Sequence, residues 1–259
     1  MDRRSFLTYS GQLLLATGLA PRMFSEKPMP EYNQFRTLSF SNDWIESLLV
    51  TAARDLPVDD AVVVNLSASP LLYSAGDDRG NILPWKSTVL RHCRVNSGDR
   101  LALLRVRKRT NLGGVALGWD WYGKRFAPYP QGTPLYISSQ DEIGELQLDP
   151  FASFFHANSS SPRHYRLILN LWYAPEDTDC GIHTGHQFLE VHTQVFGMGH
   201  MQKFREDKAG TIYEDVTMPP GFTHDAFFTL HSDATFSYPW HRYYSDTDCV
   251  WMAIELHPA

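Results

Sequence analysis

The amino-acid sequence predicts an all-β protein, a sandwich or a barrel. Short apolar runs such as "AVVVNL", "RLALLRV", "RLILNLWYA" and "CVWMAIELH" alternate with clusters of Gly, Asp, Asn, Ser and Pro. Many short strands separated by such turn signals are typical of both architectures. Internal repeats and low-complexity tracts are absent from the sequence, which argues against a solenoid.

Length and charge limit the classes of function. The chain of 259 residues is long enough for one large β domain or for two domains of roughly 110 residues each. Its composition, 43% hydrophobic and 20% charged, is ordinary for a globular protein. A formal net charge of −6 argues against nucleic acid or an anionic membrane surface as the main partner.

The N-terminal residues 1–25 resemble a twin-arginine export signal. Arg3 and Arg4 precede Phe6 and Leu7, and Thr8 stands where that signal usually has Lys. The weakly apolar run that follows is too short for a membrane span. The resemblance implies a periplasmic or otherwise extracytoplasmic protein without stable membrane insertion after cleavage. An amphipathic N-terminal helix is the alternative.

A Pro-containing linker is expected over residues 21–40, and the segment that follows predicts a helix over 41–56. Asp43 is a candidate N-cap with Glu46 three residues later, and Pro57 comes just after the segment. Apolar residues on one helical face complete the pattern: Trp44, Leu48, Leu49 and Ala52.

The segment "IHTGHQFLEVHTQVFGMG", residues 182–199, places three histidines and a glutamate within ten positions. Side chains alternate between the two faces of a strand. One face would present His186, Phe188, Glu190, His192 and Gln194. The other face would present Gln187, Leu189, Val191, Thr193 and Val195. This pattern predicts a barrel strand with a functional lumen on one side and apolar packing on the other.

A second motif, Pro219-x-Gly221-x-x-His224, follows downstream. His186, three residues, Glu190, six residues and Gly197, followed by this motif, resemble the two signature motifs of the cupin superfamily. The resemblance implies a double-stranded β-helix (cupin) barrel, here with an N-terminal helix and additional strands. The metal-binding cupin domain would comprise residues 161–259.

The resemblance also implies a ligand set for one divalent metal: His186, Glu190 and His224, with His183 as the fourth ligand. The family has His-x-His, and Thr184 occupies the position of the first of these histidines. A β-bulge at Thr184–Gly185 would turn His183 inward. Without the bulge, His192 is the alternative ligand or a partner that touches one.

Three imidazoles and one carboxylate would leave a divalent metal with open positions and a net charge of about +1. Such a set favours Fe(II) or Mn(II), and Zn, Ni, Cu or Co are compatible with it. Glu190 and His192 are the candidate catalytic residues. Two functions follow from the resemblance: a dioxygenase-type oxidoreductase acting on a small organic substrate, or a non-redox protein, either a sugar or keto-acid isomerase or a small-ligand-binding module. A small-molecule substrate is the expected partner, and homodimer formation is left open.

The rest of the chain offers weaker signals. Residues 26–160 form a β-rich region without a ligand set, either a degenerate cupin domain or additional strands around a single barrel. An aromatic, His-bearing segment would cover the barrel mouth and stack on a substrate, or else pack in the core: His231, Tyr238, Trp240, His241, Tyr243 and Tyr244. Three cysteines permit one disulfide in an oxidising compartment.

Overall fold

The computed structural model describes residues 31–157, 161–231 and 235–259, and Glu31–Ala259 form one compact unit. The predicted export signal lies outside these residues. The strands are β1 (Gln34–Thr37), β2 (Ile45–Asn65), β3 (Leu71–Ala75), β4 (Asp78–Ile82), β5 (Ser87–Val106), β6 (Asp120–Trp121), β7 (Tyr136–Ile137), β8 (Asp141–Leu148), β9 (Arg163–Ala174), β10 (Thr178–Asp179), β11 (Leu189–Phe196), β12 (Gly199–Phe204), β13 (Ile212–Met218), β14 (Thr229–Leu230), β15 (Phe236–Ser237), β16 (Trp240–Ser245) and β17 (Cys249–Pro258).

Helical structure is sparse in this part of the chain. It comprises α1 (Tyr122–Arg125), α2 (Pro150–Phe155) and 3₁₀ turns at Leu112–Ala116 and Ala209–Thr211. None of the described helices has the length and apolar character needed to cross a membrane. The all-β prediction is therefore confirmed.

Two antiparallel sheets form the C-terminal barrel. One contains β9, β17 and β11, and the segment around Thr223 pairs with β11 at its free side. The other has the order β10–β16–β12–β13. From β9 onward the chain moves from one sheet to the other and back repeatedly, which is the strand order of a jelly roll, the double-stranded β-helix. This part of the fold prediction is confirmed as well.

The barrel interior is closed by aromatic and polar contacts between the two sheets. The ring of Tyr243 on β16 stacks on that of Trp251 on β17, with 3.9 Å between centroids. The Tyr243 hydroxyl donates to Oε1 of Gln194 on β11 at 2.5 Å. Both sheets therefore contribute side chains to a common lumen.

The predicted helix over residues 41–56 is wrong, because this segment belongs to strand β2. Ile45 pairs with Val106 and Leu49 with Ala102 on β5. Buried Ile45, Ser47 and Leu49 alternate with more accessible neighbours, which is the period of a strand. Pairing with a 20-residue partner strand outweighs the weak helical preference of the isolated segment.

The N-terminal strands form a separate sheet and also add three strands to one barrel sheet. β1–β5 form a five-stranded sheet of order β1–β2–β5–β3–β4. β7 and β8 pair with β9, and β6 joins through β7, so all three enter the first barrel sheet. Whether residues 26–160 derive from a degenerate cupin domain stays a prediction.

The Pro219-x-Gly221 turn contacts strand β5 of the N-terminal sheet. Gly221 has a φ of +83°, and a Cβ there would lie 2.7 Å from the backbone nitrogen of Val89 on β5. The Gly221 carbonyl accepts a hydrogen bond from the Ser87 hydroxyl at 2.8 Å. Only glycine meets both the dihedral and the spatial requirement at this position.

The cysteine thiols do not form the permitted disulfide. Cys93, Cys180 and Cys249 are all free. Burial raises the pKa of the Cys180 and Cys249 thiols, so both stay protonated near neutral pH.

A histidine between two carboxylates on the second sheet should make stability depend on pH. His200 lies with Nδ1 2.6 Å from Asp215 and Nε2 2.7 Å from Asp246. Partial burial opposes a charge on this ring, but the two carboxylates outweigh it and raise the pKa of His200. A raised folded pKa gives stability that is full below about pH 6.5 and is lost as pH rises through the folded value. We expect His200→Gln to lower the free energy of unfolding more at pH 6 than at pH 9, as measured by urea denaturation. An equal loss at both values would contradict this assignment.

Candidate metal centre

Three histidines, two from one loop and one from strand β16, converge at one point. One ring nitrogen from each of His183, His186 and His241 lies within 4.8 Å of the others. Nε2 of His186 is 3.1 Å from Nε2 of His183 and 2.9 Å from Nε2 of His241. The structure therefore brings together two of the predicted ligands and adds His241.

The backbone explains why these rings meet. His241 lies on β16, where burial alternates and His241, Tyr243 and Ser245 face inward. His183 lies in the loop after β10 and exchanges two backbone hydrogen bonds with His241, each of 2.9 Å. The loop is thus fixed to β16 at the level of the cluster.

The second nitrogen of each ring decides which atom carries the proton. Nδ1 of His183 is 3.0 Å from the Gly181 carbonyl, and Nδ1 of His241 is 2.8 Å from the Pro239 carbonyl. A carbonyl only accepts, so these Nδ1 atoms hold the protons and donate them. Nδ1 of His186 faces the Glu190 carboxylate at 3.5 Å. The Nε2 atoms of His183 and His241 consequently carry bare lone pairs, and both face Nε2 of His186.

Such an arrangement fits a divalent metal ion. A proton on Nε2 of His186 could be donated to only one of the two facing lone pairs, at 3.1 or 2.9 Å, whereas a cation would bind both, and metal-bound histidines typically donate their other N–H to a carbonyl or carboxylate. Burial lowers the pKa of His186 to about 4 and lowers that of His241 as well. Both imidazoles are therefore neutral near pH 7, which is the form that binds metals.

Glu190 lies behind the cluster. It is buried on β11, 3% exposed, and its Oε1 lies 3.0 Å from Nε2 of His192. Burial raises the pKa of Glu190 and lowers that of His192 to about 4. The carboxylate contacts the His186 nitrogen that points away from the cluster. Direct ligation by Glu190 or His192 stays a prediction.

His224 lies outside the cluster, so the structure does not bring it together with His183 and His186 as expected. Its Nε2 accepts the backbone N–H of His192 at 2.9 Å, and its Nδ1 donates to the Asp225 carbonyl at 2.7 Å. Both ring nitrogens are thus occupied by the backbone. The third histidine of the cluster is His241.

The bulge expected at Thr184–Gly185 is also corrected. Strand β11 begins at Leu189, so His183 and His186 lie in the preceding loop and need no bulge to turn toward each other. From Glu190 to Gln194 the predicted alternation holds, with Glu190 and His192 close together in the lumen. The opposite face of β11 is also buried, in the main core with Val62 and Leu104 of the N-terminal strands.

The aromatic segment contributes to the site from within the core. The Tyr238 hydroxyl donates to the Phe188 carbonyl at 2.8 Å, and its ring lies 4.6 Å from that of His186. His231 is exposed. Alternation over residues 241–245 was the sequence signal that could have singled out His241 as an inward residue.

Comparisons with known proteins add to this picture only at the level of structure. No family model and no curated protein matches the chain. A cupin 2 conserved barrel domain protein from Leptotrichia buccalis matches with a TM-score of 0.28 and 10% identity, over 88% of this chain and 91% of that one. A mutant oxalate decarboxylase from Bacillus subtilis matches with a TM-score of 0.30 and 10% identity, over 89% and 78%. Vicilin from Corylus avellana (hazelnut) matches with 0.28 and 8%, over 83% and 75%. The jelly-roll assignment rests on the strand order described above.

Proposed function

We propose that this protein is a metal-dependent enzyme of the cupin superfamily that acts on a small organic molecule outside the cytoplasm. The observation that carries this proposal is the convergence of three imidazole Nε2 atoms, in which the His183 and His241 rings are held by hydrogen bonds from Nδ1 to backbone carbonyls. Such outer hydrogen bonds orient metal ligands and select their tautomer.

His183, His186 and His241 would hold the metal, and Fe(II) or Mn(II) is the favoured ion. When bound, a divalent metal would polarise an oxygen atom of the substrate. Three protein ligands leave further positions open to small molecules. His183 is exposed, so one side of the centre is accessible from solvent.

Glu190 and His192 would handle protons beside the metal. The raised pKa of the carboxyl group and the unoccupied Oε2 allow Glu190 to take up a proton from the substrate. His192 donates to Oε1 and holds the carboxyl group in place. In this arrangement Glu190 and His192 both take part in proton transfer, and neither needs to bind the metal directly.

The proposed reaction is a dioxygenase-type oxidation, with non-redox isomerisation as the second candidate. The imidazole set suits redox-active ions such as Fe and Cu, and its open positions could serve both a substrate and O₂. The Glu190–His192 pair favours isomerisation, since moving a proton between two carbons requires a buried acid or base.

Metal analysis and oxygen uptake test the proposal and separate the two reactions. We expect about one equivalent of a divalent metal per chain after loading with Fe(II), Mn(II) or Zn(II). The Fe(II)-loaded protein should consume O₂ when supplied with a panel of small alcohols, thiols and diketones, and His241→Ala should not. Substrate turnover without O₂ uptake would favour isomerisation. No bound metal under any loading condition would contradict the proposal.

The extracytoplasmic location rests on Arg3, Arg4, Phe6 and Leu7. We expect residues 1–25 to export a fused reporter through the twin-arginine route, and the double variant Arg3→Lys, Arg4→Lys to block export. Cell fractionation measures both. Unchanged export of the double variant would show that these arginines are not the signal.

A further inference from the structure

Beside the metal centre, buried polar atoms without hydrogen-bond partners line one sheet face. They are Trp172 Nε1, Asn170 Oδ1, His192 Nδ1 and Glu190 Oε2. Among the described residues, only Trp85 carries a further side-chain nitrogen or oxygen in this state. Buried polar groups are nearly always paired, so a concentration of unpaired atoms in one place indicates bound water or another bound polar molecule.

The strand register places these four atoms on one face. On the β9–β17–β11 sheet, Ala253 lies directly opposite Asn170 on one side and His192 on the other. The adjoining cross-strand rows are Ile168–Glu255–Glu190 and Trp172–Trp251–Gln194. Directly opposite residues of antiparallel strands project to the same face. We call these three rows the polar face.

Ala253 carries the smallest side chain of the polar face and lies at its centre. Neighbouring strands are about 4.8 Å apart, so the backbones of Asn170 and His192 are separated by roughly 10 Å. The side chain between them is a single methyl group. A ligand between the Asn170 amide and the His192 ring would lie over this methyl group.

The hydrogen-bond roles of the free atoms follow from their occupied partners. The Asn170 amide nitrogen donates to Glu255 Oε1 at 2.5 Å, which leaves Oδ1 as an acceptor. Nε2 of His192 faces Glu190 Oε1 at 3.0 Å, so the ring proton is favoured on Nε2 and Nδ1 is left as an acceptor. Glu190 Oε2 is a third acceptor, and the Trp172 indole N–H is the only donor of the four. A matching ligand must offer several hydrogen-bond donors.

The charge of the polar face argues against an anionic ligand. Its three rows contain two buried carboxyl groups, Glu190 and Glu255, and no Lys or Arg. His257 already pairs with Glu255 at 2.8 Å and is not free for a ligand. The rings of Trp172 and Trp251 stack at 6.3 Å and offer an apolar wall for carbon-bound hydrogens.

We propose that the polar face binds an uncharged, hydroxyl-rich small molecule, a polyol or an unphosphorylated sugar, as the substrate of the adjacent metal centre. That the ligand is a substrate rests on the proposed function. The chemical class of the ligand rests on the polar face alone. Hydroxyl groups donate to Asn170, His192 and Glu190, and one accepts from Trp172.

Erythritol and erythronate test the chemical class, because they differ only in a terminal hydroxymethyl or carboxylate group. We expect erythritol to raise the melting temperature of the full-length protein and to bind in calorimetry, with metal and after removal of metal by a chelator. Erythronate should bind at least tenfold more weakly to the metal-free protein. Equal or tighter binding of erythronate to that form, or no binding of erythritol to either form, would overturn the proposal.

Two matched pairs of variants test the location. Trp172→Phe removes the free indole N–H and should weaken erythritol binding about two- to tenfold. Trp121→Phe removes an indole that donates to the Thr133 carbonyl elsewhere and should leave binding unchanged. Ala253→Leu should abolish binding by covering the centre of the polar face with a larger side chain, whereas Ala253→Ser should retain it. Unchanged binding in both Trp172→Phe and Ala253→Leu would overturn the location.

The two proposals fail in different ways. Absence of metal from the unmutated protein after loading would reject the metal-dependent enzyme, but binding of erythritol to that protein would still support the polar face. The converse outcome has two parts: the loaded protein holds a full equivalent of metal, and the metal-free protein binds erythronate more tightly than erythritol. That outcome would reject the ligand class and leave the metal centre intact. Each Ala253 variant should keep the metal content of the unmutated protein, because the position does not contact the cluster of His183, His186 and His241.

Discussion

His241→Ala should lower the affinity for a divalent metal by about a hundredfold or more. The His241 ring is buried, 2% exposed, and its Nε2 lies 2.9 Å from that of His186. Removing it leaves two imidazoles and a small space in the barrel wall. Because the neutral ring makes one side-chain hydrogen bond to a neighbouring backbone carbonyl, we expect the fold to survive the loss.

The measurement is metal stoichiometry after gel filtration, combined with competition against a chelator of known affinity. His183→Ala and His186→Ala should resemble His241→Ala. His192→Ala is the matched control within the lumen. Its loss of metal affinity should be smaller, within about ten- to a hundredfold. Should His224→Ala lose the metal while His241→Ala retains it, the ligand set implied by the motif resemblance would be restored.

The parts of the fold that could be predicted are those encoded in local patterns. Turn residues between short apolar runs identified an all-β chain, and alternation correctly placed Glu190 and His192 on one face of β11. The helix over residues 41–56 was wrong because a capping pattern describes an isolated segment, whereas pairing with β5 depends on residues about fifty positions away. Local sequence does not reveal that partner.

The candidate site was predictable only in part, for a related reason. His183 and His186 were found because they lie close together in sequence next to Glu190. His241 is 55 residues from His186 and joins it through the pairing of a loop with β16. A motif match also does not tell which ring nitrogens the backbone will use, and at His224 the backbone uses both.

His224→Ala should lower the free energy of unfolding by about 2–4 kcal/mol while leaving metal affinity unchanged. On one side β11 pairs with β17, and on the other its backbone meets the segment after the Pro-x-Gly turn. There the Gln194 N–H donates to the Phe222 carbonyl at 2.9 Å. The His192 N–H donates instead to the His224 ring. The imidazole thus takes the place of a backbone carbonyl in the sheet.

Alanine at position 224 would leave this buried N–H without an acceptor and open a cavity where a ring 2% exposed had packed. Urea denaturation of the metal-free protein measures the loss without a contribution from metal binding. His164→Ala, at an exposed position on β9, is the control and should stay within about 0.5 kcal/mol of the unmutated protein. His224→Gln should recover part of the stability, since its side-chain oxygen can accept from the same N–H.

The pH dependence of His224→Ala provides an independent test of the hydrogen bond from the His192 N–H to the His224 ring. Burial lowers the pKa of His224 well below its usual value, so the folded protein keeps the ring neutral while the unfolded chain takes up a proton below about pH 6.5. A depressed histidine pKa therefore makes the fold less stable as pH falls through that range. His224→Ala removes this effect, and its stability deficit should shrink between pH 7.5 and pH 5. A deficit that grows on acidification would mean that His224 is charged in the folded protein and does not accept the His192 N–H.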